Sequence, residues 1–395
     1  MKKEFIAVQE AKEILKSLSL AGEKVQVPLQ KSLGYWTAEP IHASMQVPSF
    51  NNSGMDGYAF AWEDGGDSRQ LAQVVQAGAF PDFTLASGTA VRIFTGAPVP
   101  QGADTIVQQE WVRVEGDRVF FETDKLQKGM NLRRAGSQCE QGQLILPEGS
   151  RITPGTLGLL ASLGVEEVSV FAAPQVSIIL TGDEVVEVGQ ALQPGQIYNA
   201  NGPALLGYLS QLGISAVKVY KVKDDPNEVN RVIGEALASS DVLLLTGGIS
   251  VGDYDFVKEG LAENGVETLF YKVKQKPGKP LLAGIKGDKL IFALPGNPAS
   301  VLTCFMQYVK PSLGQWMGNP AAWAPPSSYP LATNWEKQVK LTVFLKARLV
   351  AGEVEVLPGQ ESFNLLSFGS ADGLVEIGEE QQVLKEGTLV PFYPW

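Results

Sequence analysis

The chain has 395 residues, too many for one ordinary hydrophobic core, so two to four domains are expected. Hydrophobic residues make up 44% and charged residues 19%, which excludes a disordered chain. The net charge of −11 excludes a general nucleic-acid binder, which needs a basic face to displace counterions.

Residues 5–20 carry Phe5, Ile6, Val8, Ala11, Ile14, Leu15 and Leu18 at helical spacing, which predicts an amphipathic helix. Residues 25–45 alternate like strands. From about 46 to 145 the chain is dense in Gly, Pro and Asp, which predicts a β-rich domain. Three of its loops stand out. "VPSFNNSGMDGYAF" sets a tight turn at Asp56-Gly57, "FTGAPVPQGADTIVQQE" carries Thr95 near its start, and "GMNLRRAGSQ" places Arg133 and Arg134 between glycines. Arginine forks match phosphate and other oxyanions. Residues 153–164 read as a helix with a glycine stop.

From 174 three apolar strands each run into a Gly-bearing loop: "QVSIILTGDE", "DVLLLTGGIS" and "KLIFALPGNP". Helical stretches at 203–212, 226–239, 254–264 and 299–309 alternate with them, which predicts a mainly parallel, doubly wound sheet. "WAPPSSYP", 323–330, reads as a linker, and the residues after it as a small β domain.

Ligands of a doubly wound sheet bind beyond the carboxyl ends of its strands, so the three loops should converge. In the first, Gly182 permits a tight turn before Asp183 and Glu184. In the second, Gly247, Gly248 and Gly252 suit a close phosphate, around Ser250, while Asp253 and Asp255 add negative charge. A divalent cation held by oxygen, which suits Mg²⁺, would reconcile phosphate with these acids. In the third, Asn297 reads as a helix N-cap and Pro298 as the first helical residue, leaving donors for an anion. "YKVKQKPGKP" then sets Lys272, Lys274 and Lys276 on one face of a strand, with Lys279 beyond a turn. A ligand with several negative charges is expected.

With a single histidine, His42, the Ser–His triads, Cys–His dyads and histidine-rich zinc sites are set aside, and His42 reads as structural. Cys139 and Cys304 have no metal-binding spacing and read as buried thiols in a reducing compartment. No stretch is apolar enough to span a membrane, and Glu4, Glu10 and Glu13 interrupt the N-terminal segment, so no signal peptide is read. A cytoplasmic protein, with no nucleic-acid or membrane partner, is expected.

"NNSGMDGYA", "TGAPVPQGAD", "NLRRAGS", "TGDE", "GGISVGDYD", "KPGKP" and "LPGNPAS" occur here in an order and spacing that resemble the MoeA-type molybdopterin molybdenumtransferases, to which the C-terminal domain of gephyrin is related. The resemblance covers nearly the whole chain and weakens after about 320. It implies that molybdate enters adenylylated molybdopterin to form molybdenum cofactor, with release of AMP and with Mg²⁺ as cofactor. By matching motifs, it assigns activity to Asp56, Thr95, Glu184 and Asp255, and binding to Lys272, Lys276, either Asp224 or Asp225, and the rigid loop at Pro295, Gly296, Asn297 and Pro298. Arg133, Arg134, Gly247, Gly248, Ser250 and Lys279 join the substrate-binding set, and Glu184, Asp253 and Asp255 form the metal set.

The resemblance also implies a multidomain α/β architecture. A discontinuous elongated domain comprises 1–45 with 145–172, and a β-rich domain, 46–144, is inserted in it. A doubly wound molybdopterin-binding domain, 173–320, and a C-terminal β domain, 321–395, follow. It implies a homodimer with active sites shared between chains and a molybdopterin adenylyltransferase upstream. An adenylyltransferase-like activity and a gephyrin-like scaffold are the alternatives. Three positions depart from the family pattern: Asn51 replaces Asp, Gly54 replaces Ala, and Lys346 stands where Arg, and with it an anion contact, is expected.

Overall fold

The computed structural model describes residues 3–249 and 256–395; Ser250, Asp253 and Asp255 lie outside them. The chain opens with β1 (Lys3–Ile6) and α1 (Val8–Lys16) rather than the single helix read over 5–20. Phe5 has φ 57° and Ala7 is extended, so the helix starts only after them. The ladder partners of β1 are Phe270 to Val273, too remote in sequence to register in local periodicity.

The doubly wound domain contains β2 (Val176–Thr181), α2 (Asn201–Gln211), β3 (Val217–Val222), α3 (Pro226–Ser239), β4 (Val242–Thr246), α4 (Phe256–Glu263), β5 (Glu267–Val273), β6 (Leu282–Lys286) and β7 (Lys289–Leu294). A helical run then follows: α5 (Pro298–Cys304), one π turn (Phe305–Val309) and α6 (Lys310–Trp316). The sheet order is β1-β5-β6-β7-β4-β2-β3. Only β6 runs against the others, through its antiparallel pairing with β5 and β7. The loops after β2, β4, β5 and β7 therefore leave the sheet at one end.

β2 and β4 are buried along their whole length, as a sheet covered on both faces requires. One core cluster joins α1, α2 and α5 to one face; another joins α3 and α4 to the opposite face. Each fully buried Ile, Leu or Val contributes about 1.5–3 kcal/mol, so this sheet is the rigid frame for its loops.

The inserted domain is a six-stranded sheet spanning 57–121. Around it, Lys24–Pro28 pairs antiparallel with Glu167–Phe171, and Ile41–His42 with Leu144–Leu146, so two distant pieces of chain are sewn together. At the C-terminus another six-stranded sheet takes the short strand Gln275–Lys276 as one edge, bonded to Thr342–Val343. Cys139 and Cys304 are free and buried. Among the described residues no helix is long and apolar enough to cross a membrane.

Candidate functional site

The loops after β2, β4 and β7 do converge. They surround a cavity of about 400 Å³, lined by Thr181, Gly182 and Glu184, by Thr246-Gly247-Gly248, and by Pro295-Gly296-Asn297-Pro298. Glycine makes the approach possible. Gly247 has φ +89°, and a Cβ there would lie 2.6 Å from Thr181 Oγ1 and 2.8 Å from the Thr181 carbonyl oxygen. Any side chain would push the first two loops apart.

Asp224 lines the same cavity. Burial, then repulsion from Asp183 and Glu184, raises its carboxyl above the ordinary range. Asp225 does something else: it is the N-cap of α3, its Oδ1 accepting the Glu228 N–H at 2.9 Å. Of the two neighbours considered for one binding role, Asp224 faces the cavity and Asp225 closes a helix. Among the described residues no group of three metal-ligating side chains is assembled. Glu184 and Asp224 nevertheless supply hard oxygen donors in a negatively crowded place, the setting that suits Mg²⁺.

The loop after β7 is held from two sides. Asn201, at the start of α2, donates from Nδ2 to the Gly296 carbonyl at 2.9 Å, and its buried Oδ1 has no partner. Asn297 occupies the N-cap position, but its side chain does not cap. Its Nδ2 donates to Ser362 Oγ at 3.3 Å. The Ala299 N–H donates to the Ser362 carbonyl at 3.3 Å, and the Ser300 and Val301 N–H groups donate to the Asn297 carbonyl. At this helix start, read from the sequence as an open anion site, the Ala299 N–H is thus taken by the C-terminal domain, and the Ser300 and Val301 N–H groups by the Asn297 carbonyl. Asn201 escaped the sequence reading; its signal is "YNAN" directly before a helix.

In the basic segment Tyr271, Val273 and Gln275 are buried while Lys272, Lys274 and Lys276 are less so. The three lysines do not share one strand as the alternation predicts: Lys272 has φ 61°, β5 ends at Val273, and Gln275–Lys276 is an edge of the C-terminal sheet. Lys272 Nζ lies 3.4 Å from Glu4, and Lys274 Nζ 3.6 Å from Glu379. Lys279 and Lys274 stand over the Phe5 ring. Of this segment Pro280 lines the cavity and the four lysines do not.

Asp56, Thr95, Arg133 and Arg134 belong to the inserted domain or its edge, and none of them lines the cavity of this chain. Asp56 accepts from both the backbone N–H and the hydroxyl of Thr95. These bonds, the backbone one first, with help from Arg92, hold its carboxyl below the usual range. Asn51 Oδ1 accepts the Ala135 N–H at 2.9 Å, which ties down the Arg133-Arg134 loop. Gly54 has reason to be glycine, since a Cβ would meet the Asn131 carbonyl oxygen at 3.0 Å.

Lys346 is turned to backbone carbonyls. It is 3% exposed, and its Nζ donates to the carbonyls of Gly359, Asn364 and Glu361 at 2.5, 2.9 and 3.4 Å. Burial lowers its pKa. A slim ammonium suits three converging carbonyls, so its task is to shape the loop that carries Ser362.

Comparison with known proteins accords with this geometry. Family models match the MoeA N-terminal region (domain I and II) at residues 6–164, a "probable molybdopterin binding domain" at 177–315, and the MoeA C-terminal region (domain IV) at 328–395. A molybdopterin molybdenumtransferase of Staphylococcus epidermidis is 32% identical over 397 residues, covering 98% of this chain and 94% of its own. One from Nostoc sp. is 36% identical over 309 residues, covering 76% of this chain and 71% of its own. The crystal structure of the molybdopterin biosynthesis MoeA protein from Pyrococcus horikosii superposes with a TM-score of 0.85 at 30% identity, covering 99% of both chains. Fold and cavity define a multidomain α/β protein built around a molybdopterin-binding unit. The chain belongs to the MoeA-type molybdopterin molybdenumtransferases, enzymes of molybdenum cofactor biosynthesis.

Proposed function

We propose that the substrate is adenylylated molybdopterin and that the enzyme couples molybdate insertion to release of AMP. Water adds across the phosphoanhydride, giving AMP and the pterin phosphate, while the two dithiolene thiols bond molybdate through sulfur, one Mo–O bond breaking and that oxygen leaving as water with the two thiol protons. The observation that carries this reading is the cavity where two glycine loops meet Glu184 and the raised carboxyl of Asp224. Gly182, Gly247 and Gly248 admit phosphate oxygens close to the main chain. Glu184 and Asp224, with Asp253 and Asp255 of the same loop system, would hold Mg²⁺, which neutralises charge on the phosphates when bound. Pro295 to Pro298 form a stiff wall for an oxyanion, and Lys272, Lys276 and Lys279, which lie outside the cavity lining, would supply positive charge to the part of the substrate that extends beyond it. Catalysis then rests on positioning and charge stabilisation.

Asp56, Thr95, Arg133 and Arg134 complete the cavity of the opposite chain in a homodimer. A molybdopterin adenylyltransferase supplies the substrate, and the cytoplasm, a reducing compartment, suits the two free thiols.

The first test incubates the enzyme with adenylylated molybdopterin, Mg²⁺ and molybdate and follows AMP. Release should need both Mg²⁺ and molybdate; release without molybdate would defeat the coupling. The second refolds Asp56→Asn and Asp255→Asn chains together. Half the dimers are mixed, each with one intact site, so about a quarter of wild-type activity should return. No recovery in confirmed mixed dimers would mean that each chain builds its own site.

A further inference from the structure

A second cavity, of about 460 Å³, lies between α1, the π turn with α6, the connector 319–326 and the last strand. It shares no lining residue with the cavity described above. Its charge is uneven. Lys12 is already neutralised, its Nζ lying 3.3 Å from Glu376 and 2.9 Å from Tyr393 Oη. Lys16 and Lys310 have no ion-pair partner within 4.0 Å among the described residues, although Glu13 shares the rim. Lys310 is half-buried, and its one hydrogen bond, to the Pro394 carbonyl, is long at 3.4 Å. Burial depresses the pKa of its ammonium with no acid to offset it. An anion here would meet a cation short of partners.

The rest of the lining is planar or amide-bearing. Trp323 and the prolines after it form an apolar wall. The wall is fixed in place: the Trp323 indole N–H donates to Gln315, whose Nε2 donates to the Leu18 carbonyl at 2.6 Å. Gln307 is 1% exposed, and neither its amide nitrogen nor its amide oxygen has a partner. A buried amide left without partners is costly, and this one is presented by a π turn, a feature frequent at functional sites.

We propose that this cavity is a binding site for a small planar organic acid: an aromatic or heteroaromatic ring with an anionic group for Lys310 and Lys16 and an amide-type edge for Gln307, packed on Trp323. An occupant would touch the first helix, the core helix and the C-terminal strand together, and so stabilise their junction.

The test uses the full-length protein and 4-carbamoylbenzoate, which has a ring, a carboxylate and an amide, with calorimetry as readout. Binding should weaken at least tenfold in Lys310→Met and in Gln307→Leu. Benzamide, without the charge, and inorganic phosphate, without the ring, should each bind at least tenfold more weakly to the wild-type protein. Glu184→Gln should leave the affinity unchanged, and turnover should survive Lys310→Met. The Trp323 indole N–H resonance of the wild-type protein, assigned through Trp323→Phe, should shift along the same saturation curve; this readout does not depend on the Lys310 and Gln307 variants folding. Unchanged affinity in both pocket variants, phosphate binding as tightly as the probe, loss of binding in Glu184→Gln, or an unmoved Trp323 resonance would each overturn the proposal.

Discussion

Thr95 spends two donors on one oxygen of Asp56: its backbone N–H, at 2.7 Å, and its hydroxyl, at 2.9 Å, both end at Oδ1. No hydrogen bond to Oδ2 is found among the described residues. Thr95→Val keeps the first bond and deletes the second, so the carboxyl of Asp56 should titrate at higher pH, read from its carbon resonance. Turnover should fall about tenfold, the size of one modest hydrogen bond. An unmoved titration would separate the two residues.

Asp224 binds its proton more tightly folded than unfolded, because burial and its acidic neighbours raise its pKa. The sign follows by linkage. Stability from this group is greatest below the unfolded-state pKa and is lost as pH rises through the higher folded-state value. Asp224→Asn should therefore raise the melting temperature of the metal-free protein at neutral pH, and the gain should shrink toward about pH 4. The same change should weaken Mg²⁺ binding. A gain independent of pH in thermal scans would rule out the titration as its cause.

Lys346→Ala should destabilise the protein by about 1–3 kcal/mol, because the carbonyls of Gly359, Glu361 and Asn364 lose their shared donor. The urea midpoint measures this at constant slope. The loop carrying Ser362 should loosen too, so hydrogen exchange at the Ala299 amide, which Ser362 accepts, should quicken. Wild-type exchange there would disconnect Lys346 from the wall of the cavity.

Gly278 has φ +87°, and a Cβ on it would sit 2.5 Å from Cys304 Sγ and 2.7 Å from Gln275 Nε2. Gln275 bonds Pro277 and Gly278 carbonyls and receives the Tyr308 hydroxyl. Gly278→Ala should cost about 1–3 kcal/mol by overpacking and displace Lys276 and Lys279 with the turn. A variant with wild-type stability, by denaturant titration, would show that the turn adapts freely.

The glycine loops were legible because a left-handed or crowded backbone admits little else, and that demand is written in the residue itself. In the sequence Asp225 stands open beside Asp224 as a binding residue, although Asp-Pro-x-Glu carries the signal of an N-cap, a first-turn proline and a third-position acid. What escaped depends on residues far along the chain. Asn297 has the right type and place for a cap, yet Ser362 draws its side chain away. Lys346 looks like a weakened anion ligand until the carbonyls around it are seen. The closeness of Asp224 to Glu184 follows from β2 lying beside β3, a neighbour relation that no local pattern encodes.

The seam between β1 and β5 bears on how the molecule is made. Lys3 pairs with Phe270, so β1 has no place to dock until more than 260 further residues have left the ribosome, about two-thirds of the 395. Until then α1 holds its apolar face, Val8, Ala11 and Leu15, without the core it will join. Closure of that edge brings together residues from the two ends of a long loop, whose entropy must be overcome before any contact rewards it. Chain order and sheet order thus differ most at this edge: β1 is made before β2, β3 and β4, yet its ladder partner β5 is made after them.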